Sequence, residues 1–552
     1  MSSRDQRLTA QDRWEIAFPR FTPEEIAAMS FAETRSYADG EPLFSAGETG
    51  FPFFVVLSGG IQIVEESTGA RKTVVVHDQP GDFTGDVDML TGRPALISGI
   101  AKGPTQALAL QASCLRQIVK QTPELSDRIL KAFMMRRQLL LETEFVGVRV
   151  IGSRLSPETL RIREFLAKNN QPFTWTDLER NAEAEALLQT FGVAPEETPV
   201  VACDSRSVLR NPTNEELAQC LGIKRPIERA LWDLVVVGAG PAGLAAAVYG
   251  ASEGLKTLVL DSMGPGGQAG TSSKIENYMG FPTGLSGAEL ASRAVLQAEK
   301  FGAEISAPSE VQGFRTGLNT HTLQLTDGTE VCAKSILISS GASYRRLPAQ
   351  GVQEFEGKGV FYACTAVEAM LCEHGRAIVV GGGNSAGQAA VFLSTRCQGV
   401  TVIIRGDDLS KGMSEYLASR IERHPKIDLR VCTEIRRLEG DGSLERVHVV
   451  NNQTGEETEM DAVALFVFVG AMPHTKWLPP TVATDDKGFV LTGPEAKRTG
   501  WKLDRDPMLL ETSVPGVFAA GDVRSASIKR VASAVGEGSM TVHMAHRYLA
   551  GL

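Results

Sequence analysis

Apolar residues recur along this chain with two different spacings, and the changes between them divide it. Across residues 21–105 they come in short runs at 42–44, 53–57, 61–64 and 72–77. These are punctuated by turn signals at Gly40, Gly47, Gly50, Gly59, Gly60 and Gly69. Short runs between glycine turns predict an all-β roll. Over 122–145 the period lengthens, and Leu125, Ile129, Phe133, Leu139 and Leu140 fall near helical spacing, which predicts one amphipathic helix. Residues 147–223 alternate between the two patterns. Strands are expected at 148–151, 172–176 and 200–201, and helices from Pro157, near Glu183 and at 214–220. The remainder opens on a near-continuous apolar strand at 234–237, then a glycine-rich turn, an Ala/Leu-rich helix ending near Gly254, and a second strand at 257–260. The same order returns with a strand at 377–380, a helix through Leu393 and a strand at 400–404.

Both repeats carry chemistry in the turn. The first reads Gly238-x-Gly240-x-x-Gly243, with an acid, Asp261, directly after the second strand. In such a βαβ unit the glycines serve a tight turn, close backbone approach to a pyrophosphate, and close helix–strand packing. The pyrophosphate sits on the helix N-terminus, where unpaired N–H groups and the helix dipole favour an anion. Asp261 is placed to reach a ribose hydroxyl. A membrane-spanning helix is excluded here because Gly, Pro and Asp interrupt the run. The second repeat reads Gly381-x-Gly383-x-x-Ala386, with Asn384 and Ser385 at the phosphates. Past its second strand stands Arg405 rather than an acid, which accommodates a 2′-phosphate and favours NADPH over NADH. Asp407 and Asp408 act against that preference.

Composition narrows the classes. A chain of 552 residues suits three or four domains. With 56 basic and 66 acidic residues the net charge is −10, and no basic stretch marks nucleic acid as a partner. The first residues carry charges throughout and no apolar core of a signal peptide, and no run is long enough for a bilayer, so no membrane is expected. The 8 cysteines are scattered and none forms a Cys-x-x-Cys, which fits a reducing cytoplasm and supplies no zinc ribbon. His543 and His546 lack an acid or thiol to complete a ligand set, so no metal is expected.

Several separated segments resemble the low-molecular-weight thioredoxin reductase family: Pro265-Gly266-Gly267-Gln268, the run from Lys274 through Asn277 to Pro282, the run from Ile338 through Gly341 to Ala342, and the run from Gly516 to Gly521-Asp522. The resemblance implies FAD in the first site, contacted by Gln268, Asn277, Gly341, Asp522 and Val531, with the Asp522 carboxylate at the ribityl chain. It implies NADPH in the second site, where Gly406 replaces the family's second arginine and Lys411 stands in for a further basic residue. It also implies a homodimer, and nested domains: an NADPH unit at 346–470 interrupting an FAD unit at 231–345 and 471–552. Hydride transfer from nicotinamide to flavin then follows a domain rotation, with the protein supplying position and electrostatics.

At the family's dithiol this chain departs from the pattern. The locus reads Tyr362-Ala363-Cys364-Thr365-Ala366-Val367-Glu368, so Cys364 holds the first cysteine position, Val367 the second, and Glu368 the acid. Cys364 and Glu368 are the candidate catalytic residues. One thiol cannot relay a disulfide exchange alone. Cys364 either forms a mixed disulfide or sulfenic acid beside the flavin, or is a small packed residue. Cys372 lies about two helical turns on, a poor resolving partner.

The first domain, 1–145, resembles the cyclic-nucleotide-binding β-roll family through GEPLFSAGETGFPFFVVLSGGIQI and the segments 81–86 and 92–95. The resemblance offers Gly85, Asp86, Arg93 and Ser98 as a nucleotide site, and a cyclic nucleotide or other effector as a partner. Asp86 stands where the family has Glu, and Ala95 where it has the phosphate-binding Arg, with Arg93 two residues early. Weak or absent cyclic-nucleotide binding follows. The second domain, 146–223, resembles the glutaredoxin/thioredoxin fold, with Ser156-Pro157-Glu158-Thr159 in place of Cys-Pro-x-Cys and Thr198-Pro199 at its cis-proline. Hydroxyls form no disulfide, so the unit is expected to be redox-dead and to serve docking or dimerisation. A linker at 224–230 follows.

The expected architecture is multidomain α/β: two nested Rossmann-like domains preceded by an all-β roll and a thioredoxin-fold domain. The expected function is an FAD-containing, NADPH-dependent oxidoreductase that lacks the dithiol and passes electrons to a small-molecule or protein acceptor. The alternatives are a ferredoxin- or flavodoxin–NADP⁺-reductase-like enzyme, a single-thiol disulfide or persulfide reductase, and a sensor or scaffold whose flavin does not turn over.

Overall fold

The structure, a computed structural model, describes residues 9–29, 31–67, 70–142, 147–181, 184–203, 207–317, 319–373 and 375–551. Gly69, Phe145 and Glu183, on which the sequence expectations drew, lie outside them. The N-terminal roll consists of two antiparallel sheets. One pairs Glu33–Tyr37, Thr105–Leu110 and Phe53–Ser58; the other pairs Pro42–Phe44, Ser98–Ala101, Ile61–Ser67 and Ala70–His77. Phe44, Phe53, Phe54 and Phe83 fill the space between them. The single helix expected over 122–145 is present as Pro123–Glu142, and a further helix, Ala112–Gln121, precedes it. Proline is tolerated at a first helical turn but not inside one, so Pro123 starts the second helix.

The second unit is a four-stranded mixed sheet in the order Val208–Arg210, Val200–Ala202, Arg149–Gly152, Thr174–Asp177. Arg149–Gly152 runs parallel to Thr174–Asp177 and antiparallel to Val200–Ala202. The helices are Pro157–Lys168, Ala184–Thr190 and Asn214–Cys220. The Thr198–Pro199 peptide is cis. The structure pairs Cys203 with Cys220 as a disulfide inside this unit, a link that the scattered cysteine spacing did not signal.

In the reductase-like half a seven-stranded sheet carries parallel strands Glu304–Ser306, Thr257–Leu260, Leu231–Val237, Glu330–Ile338 and Val517–Ala519, extended by the antiparallel hairpin of His321–Leu325 and Val311–Thr316. A second, five-stranded parallel sheet is built from Val360–Phe361, Ala464–Val467, Arg376–Val380, Gly399–Ile403 and Ile427–Arg430. Both faces of these parallel strands are covered, which is why they read as unbroken apolar runs rather than alternating ones. The chain crosses between the two domains twice, and the crossings pair with each other, Ala342 with Pro473 and Ser343 with Met472. Among the described residues no helix is long and apolar enough to cross a membrane.

Candidate functional site

The first nucleotide cradle forms where Leu231–Val237 turns into the helix Pro241–Ser252. Gly238 turns there with φ +107°, a conformation that side chains rarely adopt, and Gly240 caps the helix without any side-chain hydrogen bond. The N–H groups of that helix end are therefore left for a ligand. A Cβ at Gly243 would stand 1.9 Å from the Gly238 carbonyl oxygen, whereas one at Gly240 would meet nothing nearer than Gly267 at 3.9 Å. The first glycine pair thus closes helix on strand, and Gly240 leaves an open approach. Asp261 accepts N–H bonds from Ala239 (2.8 Å), Met263 (2.9 Å) and Gly264 (2.9 Å). Besides its expected ribose contact it therefore locks the turn to the segment after the second strand, with one of about four acceptor sites to spare.

Asp522 lies half-buried after Val517–Ala519, and burial raises its carboxyl above the usual range, with Lys529 opposing. A half-desolvated carboxylate fits a hydroxyl-bearing ligand that donates to it. Gly521 beside it donates 2.7 Å to Glu537 of the helix Val531–Leu549, whose first residue is Val531. Gly341 sits in the left-handed region, and Gln268 and Asn277 are exposed on the loop following Asp261.

The second cradle repeats the plan. Gly381 has φ +143°, and Gly383 caps Asn384–Ser394 with no side-chain hydrogen bond. The Asn384 side-chain oxygen accepts from the Ser414 N–H at 2.7 Å, holding the following segment beside the helix end. Tyr344, from the crossing segment, lies close to both Ser385 of the second cradle and Asp522 of the first, so the two cradles face each other. Arg420 of this domain reaches Glu276 of the other at 2.8 Å. Arg405 is exposed, and no carboxylate lies within ion-pair distance of it among the described residues. Lys411, expected as a second cation for the phosphate, is paired with Asp407 at 2.6 Å. The two sit four residues apart on an exposed segment.

The dithiol locus lies between the domains. The Cys364 backbone pairs with Ser272 of the flavin-side loop, yet its side chain is buried, 4 % exposed. Burial, then Glu368 and Cys397, push its thiol well above the usual range, so it is not a thiolate near neutral pH. Glu368, 1 % exposed, closes a capping box by accepting from the Thr365 backbone N–H at 2.5 Å, and it also accepts from the Thr365 hydroxyl at 2.6 Å. Cys372 turns toward Cys397, with the two sulfurs 3.6 Å apart. No sequence signal marked Cys397, because the pair is distant along the chain and joined only by the packing of one apolar cluster.

The sequence profile of the pyridine nucleotide-disulphide oxidoreductase family matches residues 232–538, more than half of the chain. The chain belongs to this family. It is 32% identical over 324 residues to a thioredoxin reductase of Listeria monocytogenes, covering 58% of this chain and 95% of that protein. It is 34% identical over 319 residues to one of Treponema pallidum, at 58% and 97%. Among solved structures, Lactococcus lactis thioredoxin reductase in its FR conformation matches with TM-score 0.53 and 30% identity, covering 58% of this chain and 100% of that one. The T. acidophilum thioredoxin reductase matches with TM-score 0.52 and 30% identity, at 58% and 99%. As a member of the thioredoxin reductase-like group, this oxidoreductase uses FAD and NAD(P)H. The cradles above fit those groups. The profile of the cyclic nucleotide-binding domain matches residues 34–122.

In this oxidoreductase the β-roll's cassette faces inward. Arg93, offered by the sequence as a phosphate contact, is half-buried and donates 2.7 Å to the Asn169 carbonyl of the second unit. Arg137 donates 3.0 Å to the Asn170 carbonyl and pairs with Asp86 and Asp88. The Gly85 carbonyl accepts from Arg136 at 2.7 Å, and Ser98 accepts from the Ala46 N–H at 2.9 Å. The four cassette residues are thus spent on internal contacts. The reason is local: Asn169 caps Pro157–Lys168, Asn170 follows it with φ +52°, and such helix ends present unpaired carbonyls that cations satisfy. The same two asparagines reach on to the FAD domain, at Met263 (2.9 Å) and Ser292 (2.7 Å). At its other end the helix faces the NADPH domain: Arg154 donates 2.7 Å to the Leu371 carbonyl, and Pro157 packs on Gly357. His546 lies 3.0 Å from Glu253, and His543 is exposed on the same helix.

Proposed function

We propose that this chain moves electrons from NADPH through FAD to a small-molecule or protein acceptor without a dithiol relay. The observation that carries this reading is the pairing of Val367 with a buried, protonated Cys364 where two exchanging thiols would be needed. When bound, the two cofactors supply the hydride chemistry. The chain's own residues do the positioning. The N–H groups at the two helix ends capped by Gly240 and Gly383 take the pyrophosphates. Asp522 accepts from a flavin-side hydroxyl, and Arg405 takes the 2′-phosphate. Tyr344 and the Arg420–Glu276 pair hold the cradles face to face. The β-roll and the second unit act as a brace, since their arginines and asparagines tie the three neighbouring domains together; an effector at the roll would work by loosening that brace.

The test is rapid mixing with NADPH, which is expected to bleach the bound flavin. Ferricyanide is then reduced, while thioredoxin and small disulfides are not. A flavin that stays oxidised would leave the sensor or scaffold reading. The single-thiol alternative has its own check. Because Cys364 is buried and its thiol is held protonated, Cys364→Ser is expected to change turnover less than about twofold. A collapse of turnover with intact flavin would make the thiol catalytic.

A further inference from the structure

A cavity of about 710 Å³ lies where the second unit meets both reductase domains, a volume typical of small-molecule sites. Its walls combine Tyr344, Phe361, Tyr362 and Phe392 with Val367, so no thiol faces it. Three carboxyls also line it: Glu356, which is paired with Arg346, Glu164 from the helix Pro157–Lys168, and Glu368 from the dithiol locus. Glu368 Oε1 is buried and receives no hydrogen bond from any N–H or hydroxyl among the described residues. The carboxyl beside it on the cavity wall is that of Glu164. Two ionised carboxyls side by side repel, and a proton held by Glu164 relieves that repulsion.

Resting on the reading above, we propose that this cavity takes the electron acceptor, that the acceptor is a planar conjugated dicarbonyl of the quinone class, and that the Glu164–Glu368 pair donates the proton its reduction consumes. Aromatic walls favour a flat ring. The absence of a thiol on the walls excludes acceptors that need disulfide exchange. A stored proton has no use for a one-electron metal-complex acceptor. The stoichiometry closes. NADPH gives up a hydride, two electrons and one proton, and leaves as NADP⁺. The second proton comes from the Glu164 carboxyl. Both C=O π bonds are lost, two O–H bonds form, and the product is a hydroquinone. The pair, left with two negative charges, regains its proton from water.

The charges around the pair suit this cycle. Burial first, then Glu368, push Glu164 up to about 8, while Lys168 and Arg163 pull it down. Arg163 itself faces Glu368, Asp177, Arg154 and Glu164, and its guanidinium lies 3.7 Å from the Trp175 ring centre. The Cys364 thiol also lies near Glu368 and is held protonated, and Arg346, Glu356 and Arg396 line the same cavity. The donor is therefore loaded at neutral pH and empties as pH rises through about 8.

The experiment reduces the FAD-loaded protein with dithionite, then mixes it with a water-soluble benzoquinone or with ferricyanide. Glu164→Gln keeps a hydrogen-bond donor but no transferable proton. The quinone rate is expected to fall on the order of a hundredfold relative to the ferricyanide rate, as for loss of a general acid. In the wild type the same ratio falls above pH about 8; in the variant it is flat. Infrared difference spectra of the wild type show a protonated carboxyl band that vanishes over the same range. Equal slowing of both acceptors overturns the proposal, and so does the absence of that band. Dithionite replaces NADPH here, so a failure of NADPH to reduce the flavin is read separately.

Discussion

Gly243→Val yields protein that is purified without flavin and unfolds at lower temperature, whereas Gly240→Ala folds as the wild type does and loses only FAD affinity. The contrast follows from two distances. A side chain at 243 would begin 1.9 Å from the Gly238 carbonyl and 2.8 Å from the Ser339 hydroxyl, so the helix Pro241–Ser252 must back away from the sheet. Overpacking of that kind costs about 1–3 kcal/mol. It also moves the helix N–H groups that would hold the pyrophosphate. The stabilisation that a bound cofactor adds to the folded state is then lost as well. At 240 the added Cβ finds no protein atom nearer than 3.9 Å, and the backbone there, with φ −74°, suits any residue. What an alanine methyl occupies is the approach reserved for the ligand. Flavin-to-protein ratio and thermal unfolding, measured side by side, check both halves. Retention of stoichiometric flavin by Gly243→Val would remove this cradle from the reading.

Both cradles were legible because their physics is local: strand, tight turn, helix and second strand fall within a few tens of residues, each with its own residue signature. The helix Asn214–Cys220 was equally plain. Strands Ser98–Ala101 and Thr105–Leu110 were not, since SGIA and TQALAL are rich in small residues of weak strand preference and become strands by packing against their neighbours. Glu33–Tyr37 is largely polar and exposed, an edge strand without an apolar alternation to betray it. At the sites, the absence of any Cys-x-x-Cys could be read directly from the sequence. The diversion of Arg93 to Asn169 could not, since it depends on how two domains meet. Nor could the facing of Glu164 and Glu368, two ordinary acids on separate domains that become a proton-holding pair only when burial and mutual repulsion act together.

Arg405→Ala lowers kcat/KM for NADPH by about 10- to 150-fold and leaves NADH within about twofold. That span corresponds to the loss of a hydrogen-bonded charge pair worth about 1.5–3 kcal/mol. Arg405 is suited to the role because it stands just past Gly399–Ile403 with no ion-pair partner for its guanidinium among the described residues, and its planar fork can meet a phosphate with two parallel bonds. Lys411→Ala has a smaller effect, because its ammonium is already paired with Asp407 and must leave that partner to reach a ligand. An exposed pair of this kind is worth about 0–1 kcal/mol, so the competition is weak yet sufficient to rank the two cations. Asp407→Asn should therefore raise the contribution of Lys411 and steepen the preference for NADPH. All three effects shrink as salt is added, since the site is open to solvent and screened over about 8–10 Å at physiological ionic strength. If Arg405→Ala lowers NADPH and NADH turnover alike, the arginine orders the turn rather than reading the phosphate, and the discrimination has to come from elsewhere in the second cradle.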